Sequence, residues 1–258
     1  MAGFILAAQP VQGVFVVAEN RAIVVRRPKS SKSGDRLVHK EKAQGPFLLE
    51  VENRFGLVPN FFVSSPDAPE VVEKLWEFAK AAYLDGPLPS LFKERLFVFL
   101  SRFCEVRYCV VRHCGFLVGY GNVAGDSTAP PQTIEDVIEL LKAPSPWQRP
   151  LEPIYERVES LDQLNNWPDP RSDLEDYVFA LAAIAFVTPR DSGRAREALR
   201  RALGGRRLDQ LLAYLAFIRT AHYWTVVHPG LEIEDDMMEL LAEQVELAAL
   251  LLREPDTK

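Results

Sequence analysis

Residues 94–115 read Glu94-Arg95-Leu96-Phe97-Val98-Phe99-Leu100-Ser101-Arg102-Phe103-Cys104-Glu105-Val106-Arg107-Tyr108-Cys109-Val110-Val111-Arg112-His113-Cys114-Gly115. The stretch is rich in apolar residues without strict alternation, which predicts a mostly buried helical segment. Cys109 and His113 are four apart, so one helical turn places them on one face. A thiol beside an imidazole is a plausible reactive pair, because the ring lowers the thiol pKa and accepts its proton. Glu94 is the candidate third member. Each residue also has a plainer reading. Cys109 serves equally as a small apolar core residue, His113 as a structural helix residue, and Glu94 as an ion-pair partner of Arg95, Arg102 or Arg107.

The same pattern returns downstream. Shifted by 115 residues, 94–115 overlays 209–230 with six of 22 positions identical: Leu96/Leu211, Leu100/Leu215, Tyr108/Tyr223, Val111/Val226, His113/His228 and Gly115/Gly230. Asp209 falls at the place of Glu94, and Trp224 at the place of Cys109. Both halves then carry Ile-Glu-Asp followed by Glu-Leu-Leu, at 134–141 and 233–241. The reading is one helical unit duplicated, with Asp209, Tyr223 and His228 as a degenerate second site. His222 and His228 are six apart, which is not one helical turn, and no third ligand is placed, so no metal is expected.

Working outward, the periodicity is helical from Pro46 to the C-terminal region. Segments are expected at 68–82 with Asp67 as N-cap, at 134–141, 174–186, 194–227 with a break at Gly204-Gly205, and 232–253. Residues 144–170 hold six prolines and read as a linker. The predicted fold class is all-α: a flexible N-terminal segment over 1–45, a first repeat over 46–143, a linker over 144–171 and a second repeat over 172–258. Within the first segment, 13–17 and 22–25 are short β-branched runs that suit either a hairpin or a flexible tail.

Composition narrows the function classes. The 258 residues are 48% hydrophobic and 26% charged, ordinary for a globular protein, with a formal net charge of −6. Residues 26–42 carry seven Lys or Arg against two acidic residues, so this run is +5 and the remainder −11. The net charge does not describe a nucleic-acid binder, and the basic run reads as a flexible, solvated segment, with an electrostatic contact to anionic lipid or nucleic acid as the lesser alternative. The three cysteines lie within eleven residues, an odd and clustered set that fits a reducing compartment rather than a disulfide scaffold. The start of the chain lacks a basic n-region, and no apolar run is long enough to span a bilayer. A cytoplasmic protein is expected, with no cofactor.

At Glu94, Cys109 and His113 the chain resembles the alkylhydroperoxidase D and carboxymuconolactone decarboxylase superfamily. The family's signature helix carries two cysteines separated by two residues, a His four residues after the second, and a Glu about fifteen residues before it. Here Val106 stands where the first Cys belongs. The likeness covers roughly 55–145 and, more weakly, 172–252. It implies an all-helical fold and a site in which Glu and His relay protons to a redox-active thiol pair. Without the first Cys no resolving thiol lies one turn from Cys109, and Cys104 and Cys114, each five residues away, are rotated about 140° on a regular helix. Fifteen residues of one straight helix would also hold Glu94 about 22 Å from Cys109. The relay therefore requires a break near 104–106. The string 96–109 is further similar to the N-terminal region of certain bacterial multidomain sensor histidine kinases. Two functions stay open: a sensory or interaction module that self-associates or binds a signalling protein, and a thiol-dependent peroxidase-like enzyme using Cys109, His113 and Glu94. In a live redox site, Cys109 would be the most thiolate-like of the three cysteines.

Overall fold

Eleven α-helices make up most of residues 46–252, the part of the chain that the computed structural model describes, and no strand occurs among these residues beyond one isolated bridge between Val123 and Asp126. In chain order they are α1 (Pro46–Phe55), α2 (Pro69–Ala79), α3 (Ser90–Phe103), α4 (Arg107–Leu117), α5 (Ile134–Lys142), α6 (Glu152–Glu159), α7 (Asp173–Val187), α8 (Gly193–Leu203), α9 (Gly205–Val226), α10 (Asp235–Glu243) and α11 (Val245–Leu251). The described residues belong to one compact unit. No helix among them is long and apolar enough to cross a membrane. The hairpin expected at 13–25 and the basic run at 26–42 lie outside the described residues.

The centre of the fold is α3. Every residue from Phe92 to Ser101 is buried, so the helix is enclosed on all sides. Three of those residues are ionisable, and each buried charge needs a partner. Lys93 Nζ donates to the Leu84 carbonyl at 3.0 Å, and burial pulls its ammonium down to about 8. Arg95 meets Glu175 on α7 in a buried two-pronged pair, Nε to Oε1 and Nη2 to Oε2 both at 2.8 Å. That fork gives geometric specificity as well as attraction, and it ties the two halves of the chain together. Glu94 belongs to the site described below.

Between α3 and α4 the expected break is present. Three residues, Cys104 to Val106, separate the helices, and Glu105 adopts a left-handed φ of 54°. Cys104 therefore lies exposed at the turn rather than in the core, while Cys109 and Cys114 are buried in α4.

Two sequence expectations fail for identifiable reasons. Asp67 does not cap α2; Ala68 occupies the N-cap position with no side-chain bond, and Pro69 starts the helix. Residues 144–171 are not simply linker. They contain a short 3-10 turn (Pro146–Gln148) and α6, with Pro in the first turn of each, and Ile154 and Val158 are buried. Helix α6 packs on α7 and α8. Proline at a helix start uses a position whose N–H has no intrahelical acceptor, so these prolines begin elements rather than end them.

The two overlaid stretches take different paths. Residues 94–115 are broken at 104–106, whereas their counterpart 209–230 runs unbroken in α9 to Val226. The shared residues also do different work. Tyr108 is buried and Tyr223 is 71% exposed. A Cβ added to Gly115 would meet Met237 Sδ at 2.3 Å, while one added to Gly230 would meet nothing within 4 Å.

Candidate functional site

The break after α3 sends α4 back along it, and this brings Glu94 and His113 together. His113 Nδ1 lies 2.6 Å from Glu94 Oε2. Glu94 is fully buried, and its other oxygen accepts from the Ala124 backbone N–H at 2.8 Å and from the Tyr83 hydroxyl. A carboxylate only accepts, so the donor between the two is the His113 Nδ1–H. Burial and the neighbouring Glu94 push the Tyr83 phenol well up, which keeps it a neutral donor.

Each partner of Glu94 is placed by a local device. Tyr83 sits in a one-turn π-helix (Lys80–Leu84) that continues α2 and is stacked on Tyr214 and Phe217 of α9. Ala124 lies in the loop after α4, with φ of 48°. That loop is anchored by Asn122 N–H, which donates to the Phe55 carbonyl at 2.8 Å. Gly121, at φ 112°, lets it approach: a Cβ there would meet Phe116 and the Phe55 carbonyl oxygen at 2.8 Å. The His113 ring lies on Phe97, with centroids 3.5 Å apart and planes 16° from parallel.

Cys109 and His113 line a common cavity of about 40 Å³. Its walls are mostly aromatic, including Phe61, Phe97, Phe116 and Phe217, with Tyr108 and Arg112 also on the surface. Cys109 is 3% exposed, and its sulfur lies 3.4 Å from Thr225 Oγ1 on α9. Burial pushes the thiol from an ordinary 9 up to about 12, against a smaller lowering by Thr225. The Cys114 thiol is pushed up as well, chiefly by burial. The structure pairs the imidazole with Glu94 rather than with Cys109, and burial raises the sulfur's pKa.

Several contributors could not be paired with the site from sequence spacing. Tyr108 accepts from the Phe61 N–H at 3.0 Å and donates to Glu234 Oε1 at 2.5 Å. Glu234 also accepts from the Asn60 N–H at 2.7 Å. Arg112, 2% exposed, meets both Asp236 oxygens at 3.0 Å and lies over the Phe116 ring. The segment 234–236 thereby clasps the outer end of α4. The Ile-Glu-Asp repeat flagged this segment in the sequence, but nothing there named its partners. His222 is a further buried histidine. Its Nε2 lies 2.7 Å from Ser101 Oγ, and burial pulls it down to about 3.

The proposed second site does not assemble. Asp209 and Tyr223 are exposed, and His228 Nδ1 lies 2.7 Å from the Trp224 carbonyl oxygen, the ring tilted against Trp224 itself. The Trp224 indole N–H donates to Ser64 Oγ at 2.8 Å. Among the described residues no three His, Cys, Asp or Glu side chains converge as metal ligands. Comparison with protein-family models, curated proteins and solved structures finds no match for this chain.

Proposed function

We propose that this chain is a cytoplasmic sensory or interaction module on an alkylhydroperoxidase D-like helical scaffold, in which the redox function of the site has lapsed. The observation that carries the reading is the state of Cys109. Its sulfur is enclosed, bonded to Thr225 and pushed up to about 12. The nucleophile in thiol chemistry is the thiolate, so a thiol this far above neutral pH is a packing group. Val106 removes the resolving sulfur as well. The cavity and the Glu94–His113 pair remain, which suits reception of a small ligand better than turnover. Self-association or a signalling partner is supported by apolar side chains left outside: Tyr223, Val226 and Val227 at the end of α9, and Val245 on α11.

The test is hydroperoxide consumption with an external dithiol, comparing the full chain with Cys109→Ser. Equal background rates are expected. Turnover that depends on Cys109 would overturn the reading and establish the second one, a thiol-dependent peroxidase-like oxidoreductase. That alternative draws on one observation: Cys109 and His113 face the same cavity, with Glu94 2.6 Å behind the ring.

A further inference from the structure

A cleft of about 470 Å³ that shares no residue with the Cys109 cavity lies between the loop ahead of α3, the stretch joining α6 to α7, and the start of α9. Local devices fix its walls. Pro87 and Pro89 form one side, each with a ring that locks φ. Trp167 is held against Phe92, the ring centroids 4.9 Å apart. The loop that carries Asn165 and Asn166 is pinned at its base. The Leu164 N–H donates to the Ala202 carbonyl at 2.8 Å, and the Arg207 guanidinium donates to the carbonyls of Leu164 and Asn165. Arg206 and Gln210 complete the lining from α9.

The chemistry of this lining is one-sided. Arg206 and Arg207 are its charged residues, no acidic residue belongs to it, and neither guanidinium meets a carboxylate among the described residues. Elsewhere Arg95, Arg112, Arg149, Arg171 and Arg194 are each paired with Asp or Glu. The hydrogen-bonding groups are skewed as well. Arg207 already occupies the Leu164 and Asn165 carbonyls. The exposed Arg206 guanidinium and the Trp167 indole N–H only donate, and the side-chain amides of Asn165, Asn166 and Gln210 donate as well as accept. None of these five side chains makes a hydrogen bond among the described residues, so their partner is water until a ligand replaces it. A cleft lined by one sign of charge concentrates ligands of the other, here on a chain of formal net charge −6.

We infer that this cleft binds a small organic anion, a flat apolar ring carrying a phosphate or carboxylate. The two arginines without carboxylate partners and the surplus of donors select the oxyanion. The indole and the two proline rings supply apolar surface for the ring. A space of about 470 Å³ falls within the range of about 300–1,000 Å³ usual for small-molecule sites. The site is separate from the Cys109 cavity, and its test leaves the reading of that cavity untouched.

The test titrates the full chain with phenyl phosphate, benzoate, inorganic phosphate and benzylammonium, following the Trp167 indole N–H, assigned by Trp167→Phe, in ¹H–¹⁵N spectra. At least one of the two aromatic anions should shift it saturably, and the tighter of them names the oxyanion. Inorganic phosphate, without a ring to stack, should bind about tenfold more weakly than that anion. Benzylammonium, with the ring and the opposite charge, should not bind. Arg206→Gln changes an exposed side chain and should weaken binding about tenfold, the worth of one charge-assisted hydrogen bond. Arg196→Gln, exposed on α8 outside the cleft, should leave it unchanged. Affinity should fall as salt rises. No saturable shift by either aromatic anion up to about 10 mM, binding of benzylammonium, inorganic phosphate as tight as the aromatic anions, or equal losses in Arg206→Gln and Arg196→Gln would overturn the assignment.

Discussion

Replacing Glu94 should cost the protein much of its stability, because this one carboxylate satisfies donors from three separate elements. Glu94→Ala removes the acceptor for the Tyr83 hydroxyl, the Ala124 N–H and the His113 ring. Tyr83 and Ala124 are each 1% exposed, so water cannot replace the lost acceptor without opening the core. Each enclosed donor left unpaired costs about 1–3 kcal/mol, so the Tyr83 hydroxyl and the Ala124 N–H together cost about 4 kcal/mol. Removing a buried charge relieves desolvation and returns about 1 kcal/mol of that. The net loss is about 3 kcal/mol, or a fall in Tm of about 6–12 °C for a chain of this size. Glu94→Gln keeps the shape and one acceptor oxygen and should lose about half as much. Urea unfolding of the two variants measures both values. A Glu94→Ala protein within about 0.5 kcal/mol of the parent, the range of an ordinary surface change, would refute the account of Glu94 as the hub of the site.

Two further outcomes follow from the packing. His222 is held neutral, with its pKa drawn from 6.5 to about 3 by burial, so the unfolded chain takes up its proton first as pH falls. The His222 contribution should be level above pH 6.5 and decline as pH falls from 6.5 to about 3, and His222→Gln should flatten that slope by up to about 1.4 kcal/mol per pH unit, read from urea midpoints across the range. Gly115→Ala drives a methyl into Met237 and the Arg112 guanidinium and should cost about 1–3 kcal/mol, while Gly230→Ala, its partner in the sequence overlay, should change stability by less than about 0.5 kcal/mol in the same assay.

The helical class was legible from periodicity, and the break in 94–115 from the relay that the family resemblance implies. A Glu fifteen residues from a Cys on one straight helix is out of reach, and the kink at Cys104–Val106 is the local answer. What it delivered was contact between Glu94 and His113, whereas Cys109 turned to Thr225. Spacing on one helix states which residues share a face but not what covers that face. Thr225, Tyr83 and Ala124 arrive from α9, a π-turn and a loop, and no local pattern announces them. The proline-rich stretch misled because proline is excluded from helix interiors but favoured at their starts. Identical letters do not guarantee identical environments at the second site: Tyr223 faces solvent where Tyr108 is clasped by Phe61 and Glu234.

The state of the Cys109 thiol is the central claim, and alkylation kinetics test it most directly. The native full chain is treated with iodoacetamide at neutral pH and the modified cysteines are mapped by peptide mass. Exposed Cys104 should react first, and Cys109 should react only as fast as the protein unfolds, unchanged in His113→Ala beyond any change in stability. Labelling of Cys109 ahead of Cys104 in the folded protein, slowed by His113→Ala, would show an activated thiolate and contradict the account.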